Sequence, residues 1–142
     1  MWSRLELVLR SLLQEQSGVP WPVFSRLTAG MSMDAILDAT GSLMEMEGDL
    51  VRREKFRVTK TRTKVLAGRR NRAVHSTWVW GDTGGYSALD LLSRRSRSGE
   101  MKTLFNGGLM ELEQLANEIH ECAVDFNDLI RDPSFPRLDR LA

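Results

Sequence analysis

The sequence predicts an α+β fold, and three observations carry that expectation. Apolar residues recur at helical spacing over the first 47 residues and again from residue 109 to 131. After Gly48 the pattern changes to branched and aromatic residues in alternation, as in Leu50-Val51 and Phe56-Arg57-Val58-Thr59. Ten of the chain's 20 Lys and Arg residues fall between Arg52 and Arg72, against one acid, Glu54. A strand pair with a basic tip, followed by a long amphipathic C-terminal helix, accommodates all three.

The elements follow in order. Trp2, Leu5, Val8, Leu9, Leu12 and Leu13 lie on one stripe of a helix over residues 3–16. Ser17-Gly18-Val19-Pro20-Trp21-Pro22 ends it, because glycine suits the stop and two prolines forbid continuation. Pro22 then suits the first turn of a short second helix through Phe24 and Leu27. Ser32, after the Gly30-Met31 turn, is placed to cap a third helix over residues 33–47, with Ile36, Leu37, Leu43 and Met44 inward. Gly41 is its weak point, at a cost of about 1 kcal/mol relative to Ala.

Residues 60–66 admit two readings. As strand, FRVTKTRTKVL pairs with AVHSTWVW (residues 73–80) in a long hairpin whose tip is Arg69-Arg70-Asn71-Arg72. As helix, the segment opens at Lys60 and Gly68 ends it. Thr59, Thr61 and Thr63 favour the strand on propensity. GDTGGYS (residues 81–87) reads as a loop, with Ser87 capping a short helix over residues 88–92, and SRRSRSGE (93–100) as a second basic segment. In the C-terminal helix, Leu109, Leu112, Ala116, Ile119, Ala123, Phe126 and Ile130 step by three and four alternately, the spacing of three heptads. That stripe either packs on the first helix or pairs with its copy, and the homodimer is the favoured reading. The expected organisation is a winged-helix-like nucleic-acid-binding region over 1–80, a loop and short helix over 81–107, and the dimerising or core-packing helix over 108–142.

Composition narrows the function classes. A chain of 142 residues with net charge +1 and 42% hydrophobic residues is ordinary globular material. A single cysteine, Cys122, excludes an internal disulfide framework and any multi-cysteine zinc site, and fits a cytoplasmic protein. No apolar run approaches the roughly 20 residues that a membrane helix needs. The N-terminal pattern is interrupted by Arg4, Glu6, Arg10 and Glu15, which excludes a signal peptide. His75 and His120 are the only histidines. His120, Glu121 and Cys122 are consecutive on a helix, so their side chains diverge and hold no metal together. No catalytic residue, metal or cofactor is expected, and the chain does not read as an enzyme.

The division of charge is more informative than its total. Residues 1–51 hold three bases and seven acids, residues 52–72 carry +9, and residues 100–142 hold four bases and nine acids. A basic block of this density, unpaired by acids nearby in sequence, points to a polyanion partner.

LTAGMSMDAILDATGSLMEMEGDLVRREKFRVTKTRTKVL (residues 27–66) resembles the helix-turn-helix and wing of bacterial winged-helix regulators. Gly30-Met31-Ser32 stands where their turn leads into the recognition helix, Gly48-Asp49-Leu50-Val51-Arg52-Arg53 where the wing begins, and Val58-Thr59 where it closes. The resemblance implies a DNA-binding transcriptional regulator. It departs from that pattern in the third helix, which offers Asp34, Asp38, Glu45 and Glu47 and no base between Arg26 and Arg52. Phosphate contact is therefore assigned to the wing and hairpin: Arg52, Arg53, Lys55, Arg57, Lys60, Arg62, Lys64, Arg69, Arg70 and Arg72, with Arg94, Arg95 and Arg97 as a second clamp. DNA is expected before RNA. Phe56, Trp78 and Trp80 either stack on bases or fill the core. The rival class is an adaptor whose basic hairpin docks on an acidic partner protein.

Overall fold

Five helices and three short strands make up the residues that this computed structural model describes, 1–75, 77–81, 85–89, 103–105, 109–132 and 134. They are α1 (Trp2–Ser17), α2 (Trp21–Thr28), α3 (Met33–Glu47), α4 (Leu50–His75), β1 (Thr77–Gly81), β2 (Gly85–Leu89), β3 (Thr103–Phe105) and α5 (Leu109–Asn127). The chain divides into two compact units, one of Met1–Lys64 with Ile119–Ala142 and the other of Val65–Glu118.

The first unit is helical throughout its described residues. α1 stops at Gly18, whose φ of 63° is the left-handed conformation that glycine adopts without a Cβ clash. Arg10 of α1 reaches across to the end of α2 and donates to the Thr28 carbonyl at 2.8 Å, answering one of the carbonyls left open there. Ser32 caps α3 through a hydrogen bond that its side chain accepts from the Ala35 backbone N–H. α1 packs on α3, and Leu5, Val8, Leu9, Leu12, Ile36, Leu37 and Met44 are buried there. Phe56 of α4 and Phe126 of α5 close the same core with ring centroids 5.5 Å apart. Gly41 has a packing reason: a Cβ there would stand 3.3 Å from Phe56 Cε1 and 3.3 Å from Lys60 Nζ, so its absence lets α4 approach α3.

The second unit contains the sheet, in the order β1-β2-β3 and antiparallel throughout. β1 pairs with β2 in the register Trp78↔Ala88 and Trp80↔Tyr86. Leu66, Ala73 and Leu115 are the buried hydrophobic side chains described in this unit.

These facts overturn the α+β winged helix with a basic hairpin. Residues 50–75 form one helix of 26 residues, so the wing, the hairpin and its tip do not exist, and β1 pairs with β2 instead of with the basic segment. Gly68 does not end the helix. The threonines that favoured a strand are accommodated by back-bonding: Thr59, Thr61 and Thr63 donate to the carbonyls of Lys55, Arg57 and Thr59 at 3.1, 3.0 and 2.9 Å. The helix expected over 88–92 gives way at its start to β2, which runs to Leu89, and the rest of that span lies outside the described residues.

Candidate nucleic-acid interface

α4 carries all ten residues of the basic block. Its buried positions in the first unit are Arg52, Phe56, Thr59 and Thr63, spaced four, three and four apart, and Leu66 and Ala73 are buried in the second unit. This is the stripe of a helix whose inward face is mostly polar or small, so a hydrophobicity scan finds no amphipathic signal. The charged residues are left to line its flanks.

Along those flanks the cations meet carboxylates that are distant in sequence. Lys60 and Lys64 both reach Asp38 of α3, at 2.9 and 3.2 Å. Lys55 faces Asp128 at 3.4 Å, and Arg62 straddles Glu121 and Asp125 of α5 at 2.8 and 3.3 Å. In the second unit Arg69 pairs with Glu118. Arg57 turns to Glu54 within its own helix, at 2.7 Å. Hydrogen bonds from Lys60 and Lys64 hold the Asp38 carboxyl below its ordinary range, and a hydrogen bond from Arg57 does the same for Glu54.

Arg52 is a structural hub. Its side chain is 6% exposed, and it donates from Nη1 to both oxygens of Glu47 (2.8 and 2.7 Å), from Nη2 to Glu15 (2.7 Å) and from Nε to the Leu129 carbonyl (3.0 Å). Glu15 also accepts the backbone N–H groups of Arg131 and Asp132, and Arg131 pairs with Glu47 and Asp49. One cluster thereby ties α1, α3, α4 and the chain after α5. A cavity of about 430 Å³ lies beside it, lined by Leu43 and Met46 and by Glu15, Gln16, Glu47, Arg52 and Arg131. Its carboxylates already serve the two arginines.

Among the described residues Arg52, Lys55, Arg57, Lys60, Arg62, Lys64 and Arg69 thus make ion pairs inside the chain. Arg53 is exposed, and Arg70 and Arg72, neither of them without a partner, lie near the C-terminal end of α4. There Arg70 donates to the Asn71 side chain at 3.1 Å, and Asn71, Arg72 and His75 are exposed. Asn71 and His75 stand four residues apart and Arg72 and His75 three, so these three side chains share one face of the last turns. His75 is the member that the residue-type argument passed over. An Arg-Asn pair followed at helical spacing by a histidine, once the segment is read as helix, is the signal that would have found it.

The remaining assignments fall as follows. Arg94, Arg95 and Arg97 lie outside the described residues, and Phe56 is core. Of the dimer stripe, Ile119, Ala123, Phe126 and Ile130 are buried within the single chain, Leu112 and Ala116 are half-buried, and Leu109 is exposed. Among the described residues no group of histidine, cysteine and carboxylate side chains could hold a metal ion, and no helix is long and apolar enough to cross a membrane. Comparison with protein-family models, curated proteins and solved structures gives no match to this chain.

Proposed function

We propose that the protein binds nucleic acid through the C-terminal end of α4, with Arg70, Arg72, Asn71 and His75 as the contact group and Arg69 beside them. The observation that carries this reading is the gathering of three arginines, an amide and an imidazole within seven residues of one helix end, three of those side chains being exposed. Arginine presents a planar fork of donors that matches phosphate oxygens in pairs, and asparagine reads a base edge or a sugar hydroxyl. Arg52, Lys55, Arg57, Lys60, Arg62 and Lys64 are engaged in ion pairs within the fold, and the proposed contact lies beyond them at the helix end. The reading suits a cytoplasmic protein, and the buried free thiol of Cys122 is in keeping with it.

Titration of fluorescent single-stranded RNA, single-stranded DNA and duplex DNA tests this directly. With two or three phosphates neutralised, log affinity should fall with log salt at a slope of about −2 to −3. Arg70→Ala and Arg72→Ala should each weaken binding about tenfold, the loss of one charge-assisted contact. Binding that survives the double variant intact would remove the reading.

A second reading, strand cleavage, is favoured by the place of His75. A guanidinium within one turn of the imidazole stabilises charge on a phosphate under attack. On RNA the imidazole is equipped to take the proton from a ribose 2′-hydroxyl as that oxygen bonds to the phosphorus held by the arginine. A 2′,3′-cyclic phosphate forms, while the 5′-oxygen is expelled and takes up a proton from water. His75→Ala should then abolish cleavage and leave affinity within about threefold, less than half a tenfold step in free energy. RNA that remains intact with the unaltered protein would dismiss cleavage and leave binding standing.

A further inference from the structure

The outer face of α4 and α5 in the first unit carries a repeated arrangement with its sign reversed. Val58 of α4 is 48% exposed and lies three residues after Lys55 and four before Arg62. Val124 of α5 is 39% exposed and lies three residues after Glu121 and four before Asp128. At these spacings each valine shares a face with the two charges that frame it. One helix therefore presents cation, valine, cation, and the other presents anion, valine, anion. Val51, one heptad before Val58 and 82% exposed, extends the apolar row. The framing charges pair across the gap between the helices, Lys55 with Asp128 and Arg62 with Glu121 and also Asp125, yet the four stay 42–63% exposed, so each retains capacity for a further partner.

We infer that this face binds a second copy of the chain about a two-fold axis parallel to the two helices. That axis sets α4 of one copy over α5 of the other, valine on valine and cations on carboxylates, at both ends of the interface at once. A two-fold axis across the helices would instead set cations on cations and carboxylates on carboxylates. Charge therefore selects both the occupant and its orientation. The interface is distinct from the heptad stripe of α5, most of which is buried inside the single chain, and it is independent of the nucleic-acid reading.

Sedimentation of the full chain tests the inference. The unaltered protein should pass from monomer to dimer in the micromolar to millimolar range, where a small interface of this kind falls. Val58→Asp should raise the dissociation constant at least tenfold, and Leu27→Asp, on the exposed side of α2, should leave it unchanged. The decisive arm uses two charge-reversed chains, one with Lys55→Glu and Arg62→Glu, the other with Glu121→Lys and Asp128→Lys. Each alone should stay monomeric with an unaltered helical circular dichroism spectrum, and an equimolar mixture should dimerise. A monomer at every concentration, equal effects of Val58→Asp and Leu27→Asp, self-association of either reversed chain, or a monomeric mixture would each overturn it.

Discussion

Arg52 and Arg53 are neighbours in a basic run, yet they have opposite fates. Arg52 shares the buried stripe of Phe56, Thr59 and Thr63, and its guanidinium is met by two carboxylates and a carbonyl. Arg53 is one residue off that stripe and points outward. Arg52→Ala should lower stability by about 3–5 kcal/mol, because Glu15 and Glu47 are left without their common partner. Arg53→Ala should stay within about 0.5 kcal/mol. Denaturant melts of the two variants check the pair. The distinction was not legible from residue type, since a buried arginine and a surface one are the same letter. The four-and-three spacing that separates them becomes visible only once the segment is read as helix.

At the scale of elements, what was legible followed local signals. α1 and α3 occupy the spans that apolar spacing and the Ser32 cap indicate, and α2 follows Pro20 with Pro22 in its first turn. α4 was illegible for a physical reason. Its inward face is Arg, Phe and Thr, so neither helical nor alternating hydrophobicity dominates, and threonine propensity points the wrong way when its hydroxyl can bond one turn back. α5 shows a subtler miss. The strict two-in-seven stripe included Leu109 and Leu112 and ran on to Ile130, but the helix ends at Asn127. Its buried set is Leu115, Ile119, Cys122, Ala123 and Phe126, a band turned by about one residue, with Leu129 and Ile130 buried in the chain just after it. A helix covered by its own chain buries a broad face, and a coiled-coil seam buries a narrow one. Leu115→Ala should therefore cost about 2–5 kcal/mol, and Leu109→Ala should be nearly silent. Thermal melts of both variants decide whether the band or the seam describes the helix.

For the whole molecule, three paired carboxyls, one of them bridging α3 and α4, contribute to the response to acid. Asp38, Asp49 and Glu54 have carboxyls held below their ordinary range: Asp38 by Lys60 and Lys64, Asp49 by the Arg52 backbone N–H and then by Arg131, and Glu54 by Arg57. A carboxyl whose folded value is depressed stabilises the fold above the ordinary range and loses that contribution as pH falls through the folded value. The melting temperature should thus be level from neutrality to about pH 5 and fall steeply below about pH 4, where free carboxyls protonate. Circular dichroism melts across that range are the measurement. An unchanged melting temperature at low pH would mean that these pairs contribute nothing to stability.

The order in which the charges are synthesised has a consequence of its own. On the ribosome, α3 and then the whole of α4 are made well before α5, and the carboxylates Glu118, Glu121, Asp125 and Asp128 emerge after both. Until they do, the block of net +9 between Arg52 and Arg72 lacks those four carboxylates, and of the partners described for its ion pairs outside the block only Glu15, Asp38 and Glu47 have been made. The growing polypeptide thus keeps a net positive charge beside a ribosome made largely of RNA, and it becomes nearly neutral only when α5 is complete. Completion of α5 is a discharge step as well as a packing step, and a chain that stops short of it should cling to ribosomal RNA.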